Sequence, residues 1–183
     1  MKYLRLFENF EDIDSICKKY GIENYTINKD GSIDVDGNVD LNNLYLRKFP
    51  LEFRNVSGKF DCRSNYFVSL KGGPERVGSD FSCGFNDLSS LEFCPKYVGG
   101  HFNCYSNGII SFEYLPETIG GILWCGKNPI YELWELFEDY SKIELFNDYD
   151  IVRGDGIVLD RLNSFLQDIG EPTVEKVEGY NNI

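Results

Sequence analysis

Apolar and polar residues alternate in short segments along most of this chain, and the segments recur at a fixed interval. The segment "FSCGFNDLSSL" begins at Phe81, and "FNCYSNGIISF" begins 21 residues later, at Phe102. In both, an aromatic residue and a cysteine occupy alternate positions between polar residues. This alternation predicts a short strand with one buried face. A strand of this kind is therefore expected every 21 residues.

The period aligns the same residue types in columns, of which three define the predicted structural core. An aromatic and a cysteine point inward, and an asparagine follows where the strand ends. An asparagine amide can bond backbone groups that no longer have a ladder partner. The members of these columns are Phe60, Cys62, Asn65, Phe81, Cys83, Asn86, Phe102, Cys104, Asn107, Cys125 and Asn128.

A fixed period of 20–29 residues with this apolar spacing is typical of a leucine-rich-repeat solenoid, in which each coil buries its apolar residues against its neighbours. The fold class predicted for the chain is therefore an α/β solenoid of about four to five 21-residue coils. The coils are expected over residues 39–128. A proline column at Pro74, Pro95 and Pro116 favours an extended return path between coils.

Open solenoids need capped ends, and both flanks have patterns that suit a cap. Residues 1–38 are predicted to form an N-terminal cap with one helix that ends at Gly21. In the same segment, Asp30-Gly31 and Asp36-Gly37 predict hairpin turns. Residues 129–183 are predicted to form an acidic C-terminal cap with two amphipathic helices, the second ending at Gly170.

Several segments resemble those of a known group of proteins. The segments "DGSIDVDGNVDL" and "FPLEFRNVSGKFDC", followed by rows of "LxSLxxxPxxVGGxFxCxxN", resemble the short leucine-rich-repeat proteins encoded by tailed bacteriophages. The likeness covers residues 24–130, and "NPIYELWELF", "LFNDYDIVRG" and "EGYNNI" also fit that group. It implies the solenoid fold and a viral source, and it carries over no catalytic residues. A location in the cytoplasm of a bacterial host follows from this resemblance.

The net negative charge of the chain argues against two classes of partner, nucleic acids and acidic membranes. The chain has 18 basic and 30 acidic side chains, and residues 129–183 hold four of the bases and thirteen of the acids. Nucleic acids and acidic membranes are bound mainly through Lys and Arg, so neither is predicted as a partner. No run of about 20 apolar residues occurs. The N-terminal "MKYLRLFENFEDIDSI" breaks its apolar positions with acids, so no signal peptide is expected.

The residues that could carry chemistry have simpler interpretations. Zinc sites favour paired ligands such as C-x-x-C, so the cysteine column is interpreted as buried and reduced. "DVDGNVD" has its glycine at the wrong place for a calcium loop. We therefore predict no catalytic residue, no metal and no cofactor. One alternative stays open, an enzyme whose site lies in the C-terminal segment around Asp148, Asp150, Arg153 and Asp155.

The outward positions of the strands vary between repeats and include the aromatic and Arg residues that often anchor interfaces. They predict a non-enzymatic protein-binding module that modulates a host bacterial protein, such as a defence component. A second copy of the chain is a further candidate partner that would complete the binding surface. Alternatives are a virion or assembly component and an acidic mimic of nucleic acid. The candidate contact residues are Arg63, Phe85, His101, Asn103, Tyr105 and Trp124.

Overall fold

Each 21-residue repeat contributes two short strands, one to each of two sheets. The computed structural model describes residues 12–154 and 156–183. Sheet A has six strands in the order β1-β2-β4-β6-β8-β10, and sheet B has five in the order β11-β9-β7-β5-β3. The strands of sheet A are β1 Tyr25–Ile27, β2 Ile33–Val35, β4 Phe53–Val56, β6 Arg76–Val77, β8 Tyr97–Val98 and β10 Thr118–Ile119. The strands of sheet B are β3 Val39–Asp40, β5 Phe60–Asp61, β7 Phe81–Ser82, β9 Phe102–Asn103 and β11 Leu123–Trp124.

Pairing between the repeats is parallel, and its register equals the sequence period. Phe60 lies opposite Phe81, and Phe81 lies opposite Phe102. The three rings stack, with centroids 5.7 and 5.6 Å apart. Phe53 of sheet A meets Phe60 of sheet B edge-on at 5.1 Å, so the two sheets share one apolar core. Burying these aromatic faces stabilises the stack.

The cysteine and asparagine columns line the inside of the stack. Cys62, Cys83 and Cys104 are buried, and burial raises the pKa of each thiol. The Asn86 amide donates to the carbonyls of Cys62 and Cys83 at 3.1 and 3.0 Å. Each asparagine thus joins two repeats where the strand has ended. Asn65, Asn86 and Asn128 are buried, and Asn107 is half-buried with the same pattern of bonds.

The prediction of a leucine-rich-repeat solenoid with helical caps is wrong. The return segments after the prolines do not stay unpaired but form the parallel strands of sheet A, so the repeats make two stacked sheets. Helices are few and short, and none lies within a repeat. The period identifies equivalent residues in successive repeats, but it does not show that the return segments hydrogen-bond to one another. That depends on how closely the repeats stack.

The N-terminal segment is partly as predicted. Helix α1, Ile13–Lys19, begins after Asp12, whose side chain accepts from the Ser15 N–H at 2.7 Å. The turn at Asp30-Gly31 joins β1 and β2 in an antiparallel hairpin, as predicted. The second Asp-Gly pair makes no hairpin, because β3 passes into sheet B and pairs in parallel with β5. Residues 1–11, which carry the signal-peptide prediction, lie outside the described residues.

The C-terminal region, residues 129–183, mixes helices with a third sheet. Its helices are α2 Ile130–Trp134, a 3-10 turn Tyr140–Lys142, α3 Ile143–Asp148 and α4 Leu159–Ile169. Sheet C contains β12 Val152–Arg153, β13 Gly156–Ile157 and β14 Asn181–Asn182. Helix α4 ends at Gly170 in the left-handed conformation, as predicted. The prediction of a helical C-terminal cap is wrong, because the end of the chain returns as β14 beside β13.

The C-terminal region closes the apolar end of the repeats. Phe146 meets Phe112 of the last repeat edge-on at 5.2 Å and meets Phe165 of α4 in the same way at 5.2 Å. The Tyr180 hydroxyl donates to the Ile110 carbonyl at 2.6 Å, which fixes the end of the chain to the stack. Over residues 12–154 and 156–183, no helix has the length and apolar character of a membrane span.

Candidate functional site

Three of the six candidate contact residues meet in one cleft at the last strand of sheet B. Asn103, Tyr105 and Trp124 line this cleft, which has a volume of about 650 Å³. We call it the edge cleft. Its floor is β11, and its far wall is α2 and the turn that follows α2. The full lining is Asn103, Tyr105, Leu123, Trp124, Cys125, Gly126, Lys127, Tyr131, Trp134 and Glu138.

A smaller cleft of about 340 Å³ continues the edge cleft along β11. Leu123, Trp134 and Glu138 line both, so the two form one groove between β11 and the C-terminal region. Ile122 lies in the smaller cleft and is exposed. The groove therefore follows the whole of the last strand.

Trp124 is held in place although it is exposed. Its indole is 46% exposed and stacks on the His101 ring, with centroids 5.0 Å apart and an angle of 17° between the planes. His101 is fixed in turn, because its Nδ1 accepts from the Ile122 N–H at 2.9 Å. A rigid exposed aromatic loses little conformational entropy when it meets a partner. His101 thus positions Trp124.

Tyr105 is also flanked by fixed groups. Its backbone N–H donates to Asn103 Oδ1 at 3.0 Å. The Phe85 ring lies 5.5 Å from the Tyr105 ring, and the Lys127 ammonium lies 5.5 Å from the same ring on the other side. Phe85 is half-exposed and has a left-handed backbone with φ of 56°. Ser64, Ser106 and Lys127 share this conformation at the equivalent positions of the other repeats, so it belongs to the repeat backbone.

Arg63 lies apart from the groove. Its guanidinium pairs with Asp61 of β5, with Nη2 2.6 Å from Oδ2. Strands β7 and β9 separate β5 from β11 in sheet B. The structure therefore gathers Asn103, Tyr105 and Trp124 around the edge cleft, with His101 and Phe85 packed against them, and it leaves Arg63 outside.

Sequence reasoning missed the opposite wall of the cleft. Tyr131, Trp134 and Glu138 follow the last repeat, where the period no longer applies. A signal was present, because Tyr131 and Trp134 are three apart and alternate with the buried Ile130 and Leu133 on α2. That spacing predicts an aromatic stripe beside the buried face of the helix. It does not show that the stripe lies next to β11.

The acidic cluster of the C-terminal region is organised by arginines. Asp150 pairs with Arg153 at 2.5 Å and with Arg161 at 2.6 Å, and these hydrogen bonds lower the pKa of its carboxyl. Asp155 lies outside the described residues. Within the described parts of the chain, no group of three or more His, Cys, Asp or Glu residues is placed to hold a metal ion. Of the two described carboxylates of this cluster, Asp150 therefore acts in surface ion pairs, and Asp148 lies exposed at the end of α3.

Comparisons with protein-family models, with curated proteins and with solved structures find no match to this chain. Its function is accordingly argued from the groove itself.

Proposed function

We propose that the protein is a non-enzymatic protein-binding module and that the edge cleft contacts its partner. The observation that carries the proposal is the group of exposed, positioned aromatic residues at the end of sheet B. Trp and Tyr are the residues that most often dominate binding energy at protein interfaces. Here Trp124 is held by His101, and Tyr105 is held by Asn103 and Phe85. The edge cleft thus presents its anchors without first having to order them.

The size of sheet B explains why a second surface is needed. Five strands about 4.8 Å apart make a face about 24 Å long. A strip of that length and about 15 Å wide offers about half of the 800 Å² that a stable interface commonly takes from each partner. Helix α2 and Glu138 extend the surface across the groove. The partner is therefore expected to touch both sheet B and the C-terminal region.

The proposed partner is a protein of a bacterial host. This part of the proposal is supported by the resemblance of residues 24–130 to phage-encoded proteins, which is independent of the groove. A cytoplasmic encounter suits the six free cysteines, because disulfides are rare in a reducing compartment.

Affinity purification with matched variants tests the proposal. Tagged parent, Trp124→Ala and Tyr66→Ala proteins would be expressed in bacteria, and the retained proteins would be quantified by mass spectrometry. Tyr66 is the control because it is 45% exposed, close to the 46% of Trp124, and lies away from the groove. We expect a protein that parent and Tyr66→Ala retain equally and that Trp124→Ala retains at least about tenfold less. If all three retain the same proteins in equal amounts, the groove is not the binding surface.

A further inference from the structure

The backbone hydrogen bonds of sheet B run in one direction along the stack. The N–H of Phe60 donates to the Asp80 carbonyl of the next repeat at 2.9 Å, and the N–H of Phe81 donates to the His101 carbonyl at 2.9 Å. The same bond joins Phe102 to Ile122 at 3.0 Å. Every repeat therefore needs carbonyl groups from the repeat that follows it.

The same relation holds at two further positions in each repeat. Two residues on, the cysteine N–H donates forward, as from Cys104 to the Trp124 carbonyl at 3.0 Å. The residue just before the asparagine also donates its N–H to a carbonyl of the next repeat, as Ser106 does to the Gly126 carbonyl at 2.9 Å. Three donors per repeat thus point toward the next repeat at alternate positions.

At β11 no repeat follows, and the three equivalent donors are left without acceptors. They are the N–H groups of Leu123, Cys125 and Lys127, for which residues 12–154 and 156–183 supply no hydrogen-bond acceptor. The residue Cys125 is only 3% exposed as a whole. A buried, unpaired N–H is costly, and nearly all such groups in folded proteins have a partner.

The C-terminal region closes the core but leaves this edge open. Helix α2 starts at Ile130, and the helix packs over Phe112 through Trp134. Between β11 and that helix lies the groove, which is lined by Leu123 and Cys125 themselves. A row of alternate donors beside an open groove is the arrangement that accepts an added strand.

On the basis of the proposed function, we infer that the partner binds by strand addition: an extended, basic segment of the partner pairs with β11 and becomes the sixth strand of sheet B. Its backbone carbonyls accept from the N–H groups of Leu123, Cys125 and Lys127. Carbonyls of an extended chain point to one side at every second residue, which matches the spacing of the donors. About five residues of the partner span them.

Charge and aromatic content argue for a basic segment. Glu138 lines both parts of the groove and is exposed, and no described residue forms an ion pair or hydrogen bond with its side chain. Residues 129–183, the segment that contains Glu138, carry thirteen acids and four bases. Lys127, the base that lines the edge cleft, lies over the Tyr105 ring. An acidic segment would be repelled by the acidic C-terminal region, and a Lys or Arg of the partner would gain Glu138 as counter-ion.

The tryptophan side chains of the groove also favour a Lys or Arg of the partner. The apolar stem of Arg or Lys packs well on aromatic surface, and the cationic head is attracted to a ring face. Tyr105 already has such a neighbour in Lys127 of its own chain. Trp124 and Trp134 line the groove with Glu138, and Trp124 has one face occupied by His101. Trp124 is nevertheless 46% exposed, which leaves surface for a partner side chain.

A peptide selection tests whether basic segments bind in the groove. A proline variant tests whether the Leu123 N–H donates to them. The full chain would be screened against a displayed library of random linear peptides of about ten residues. The best enriched peptide would be synthesised, and its Kd measured for parent, Leu123→Pro, Leu123→Ala and Glu138→Gln. Proline removes the Leu123 N–H, which the fold does not use, and edge strands tolerate proline. Leu123→Ala is the control, because it shortens the same side chain but keeps the donor.

We expect Lys- and Arg-rich peptides, and a Kd at least about tenfold weaker for Leu123→Pro than for Leu123→Ala. Glu138→Gln should weaken binding and reduce its dependence on salt. The amides of Leu123, Cys125 and Lys127 should exchange hydrogen faster in the free protein than in the complex. Thermal melting of each variant shows whether it is folded.

Three results would overturn strand addition, and none of them would by itself remove the proposed function. One is equal binding by Leu123→Pro and Leu123→Ala, with no protection of the three amides. Another is enrichment of acidic peptides, or of no peptide, while the purification above still captures a Trp124-dependent protein. The last is concentration-dependent dimerisation of the chain alone that Leu123→Pro abolishes, because the occupant would then be a second copy. Loss of the Trp124-dependent capture would remove the proposed function as well.

Discussion

The repeat region, residues 39–128, and the C-terminal region, residues 129–183, are stabilised in different ways. In the repeat region, equivalent residues meet equivalent residues, so phenylalanine stacks on phenylalanine with planes 19° and 14° apart. In the C-terminal region most of the aromatic rings meet edge-on, as Phe146 and Phe165 do at 86°, although Phe137 and Phe146 stack. One region is a ladder that any further repeat could extend, and the other is a cluster that nothing extends.

The contrast shows that the end of a stack of repeats has two separate structural requirements. The apolar interior must be covered, and the backbone donors of the last strand must be paired. Phe137, Phe146 and Phe165 accomplish the first by packing below Phe112. The second is left undone at β11 of sheet B. We infer that this unpaired edge is where the protein acts.

Removing the C-terminal region should have the largest effect. Deleting residues 131–183 exposes Ile109 and Phe112, which are buried in the full chain, and loses the hydroxyl of Tyr180 from the Ile110 carbonyl. The remaining chain should aggregate on expression, as judged by size-exclusion chromatography. A soluble fragment that melts cooperatively would show that the repeats are stable without the aromatic cluster.

Within the repeat region, Gly99→Ala should be among the most damaging single substitutions, together with alanine at the equivalent Gly78 and Gly120. A Cβ at Gly99 would collide with the carbonyl oxygen of Gly78 in the preceding repeat, and backbone cannot move aside without breaking sheet A. We expect a loss of about 3 kcal/mol or more in the free energy of unfolding, measured with urea.

Gly108→Ala is the matched control for that substitution. Its Cβ would meet only the Leu88 carbonyl, at an ordinary contact distance of 3.5 Å. The free energy of unfolding should change by no more than about 0.5 kcal/mol. Similar losses at both positions would mean that close approach between repeats does not limit stability.

The cysteine column should show a smaller effect that separates packing from polarity. Cys83→Ala loses a buried group and should cost about 1–3 kcal/mol. Cys83→Ser keeps the size but buries a hydroxyl, so it should cost more than Cys83→Ala. Because burial raises the pKa of the Cys83 thiol, the folded protein should also resist thiol reagents at Cys83. Stoichiometric zinc in the purified protein, or destabilisation by a reductant, would contradict this interpretation of the column.

The smallest expected effect is at the junction of the two regions. Tyr180→Phe removes the hydroxyl that donates to the Ile110 carbonyl at 2.6 Å and should cost about 1 kcal/mol. Tyr45→Phe, at a side chain 72% exposed, should leave the melting temperature unchanged. An equal change in the two variants would indicate that β14 and the residues before it are not held by this bond.

The period alone predicts a great deal about the repeat region. It identifies the strands at Phe60, Phe81 and Phe102 and the buried cysteines between the repeats. It does so because every repeat packs between similar repeats, so the same residue type fits at the equivalent position of each repeat. Local signals likewise predict the end of α4 at Gly170, since a left-handed C-cap depends only on nearby backbone.

Other features depend on neighbours that are distant in sequence, and no local pattern indicates them. The return segments pair as sheet A only because the repeats stack at strand spacing. Ser64, Phe85, Ser106 and Lys127 share a left-handed backbone without glycine, because the asparagine bonds that follow impose the turn. The groove exists because α2 covers the core at Phe112 and stops short of β11. The aromatic residues of the groove can be identified in the sequence, but only the folded stack brings them close together.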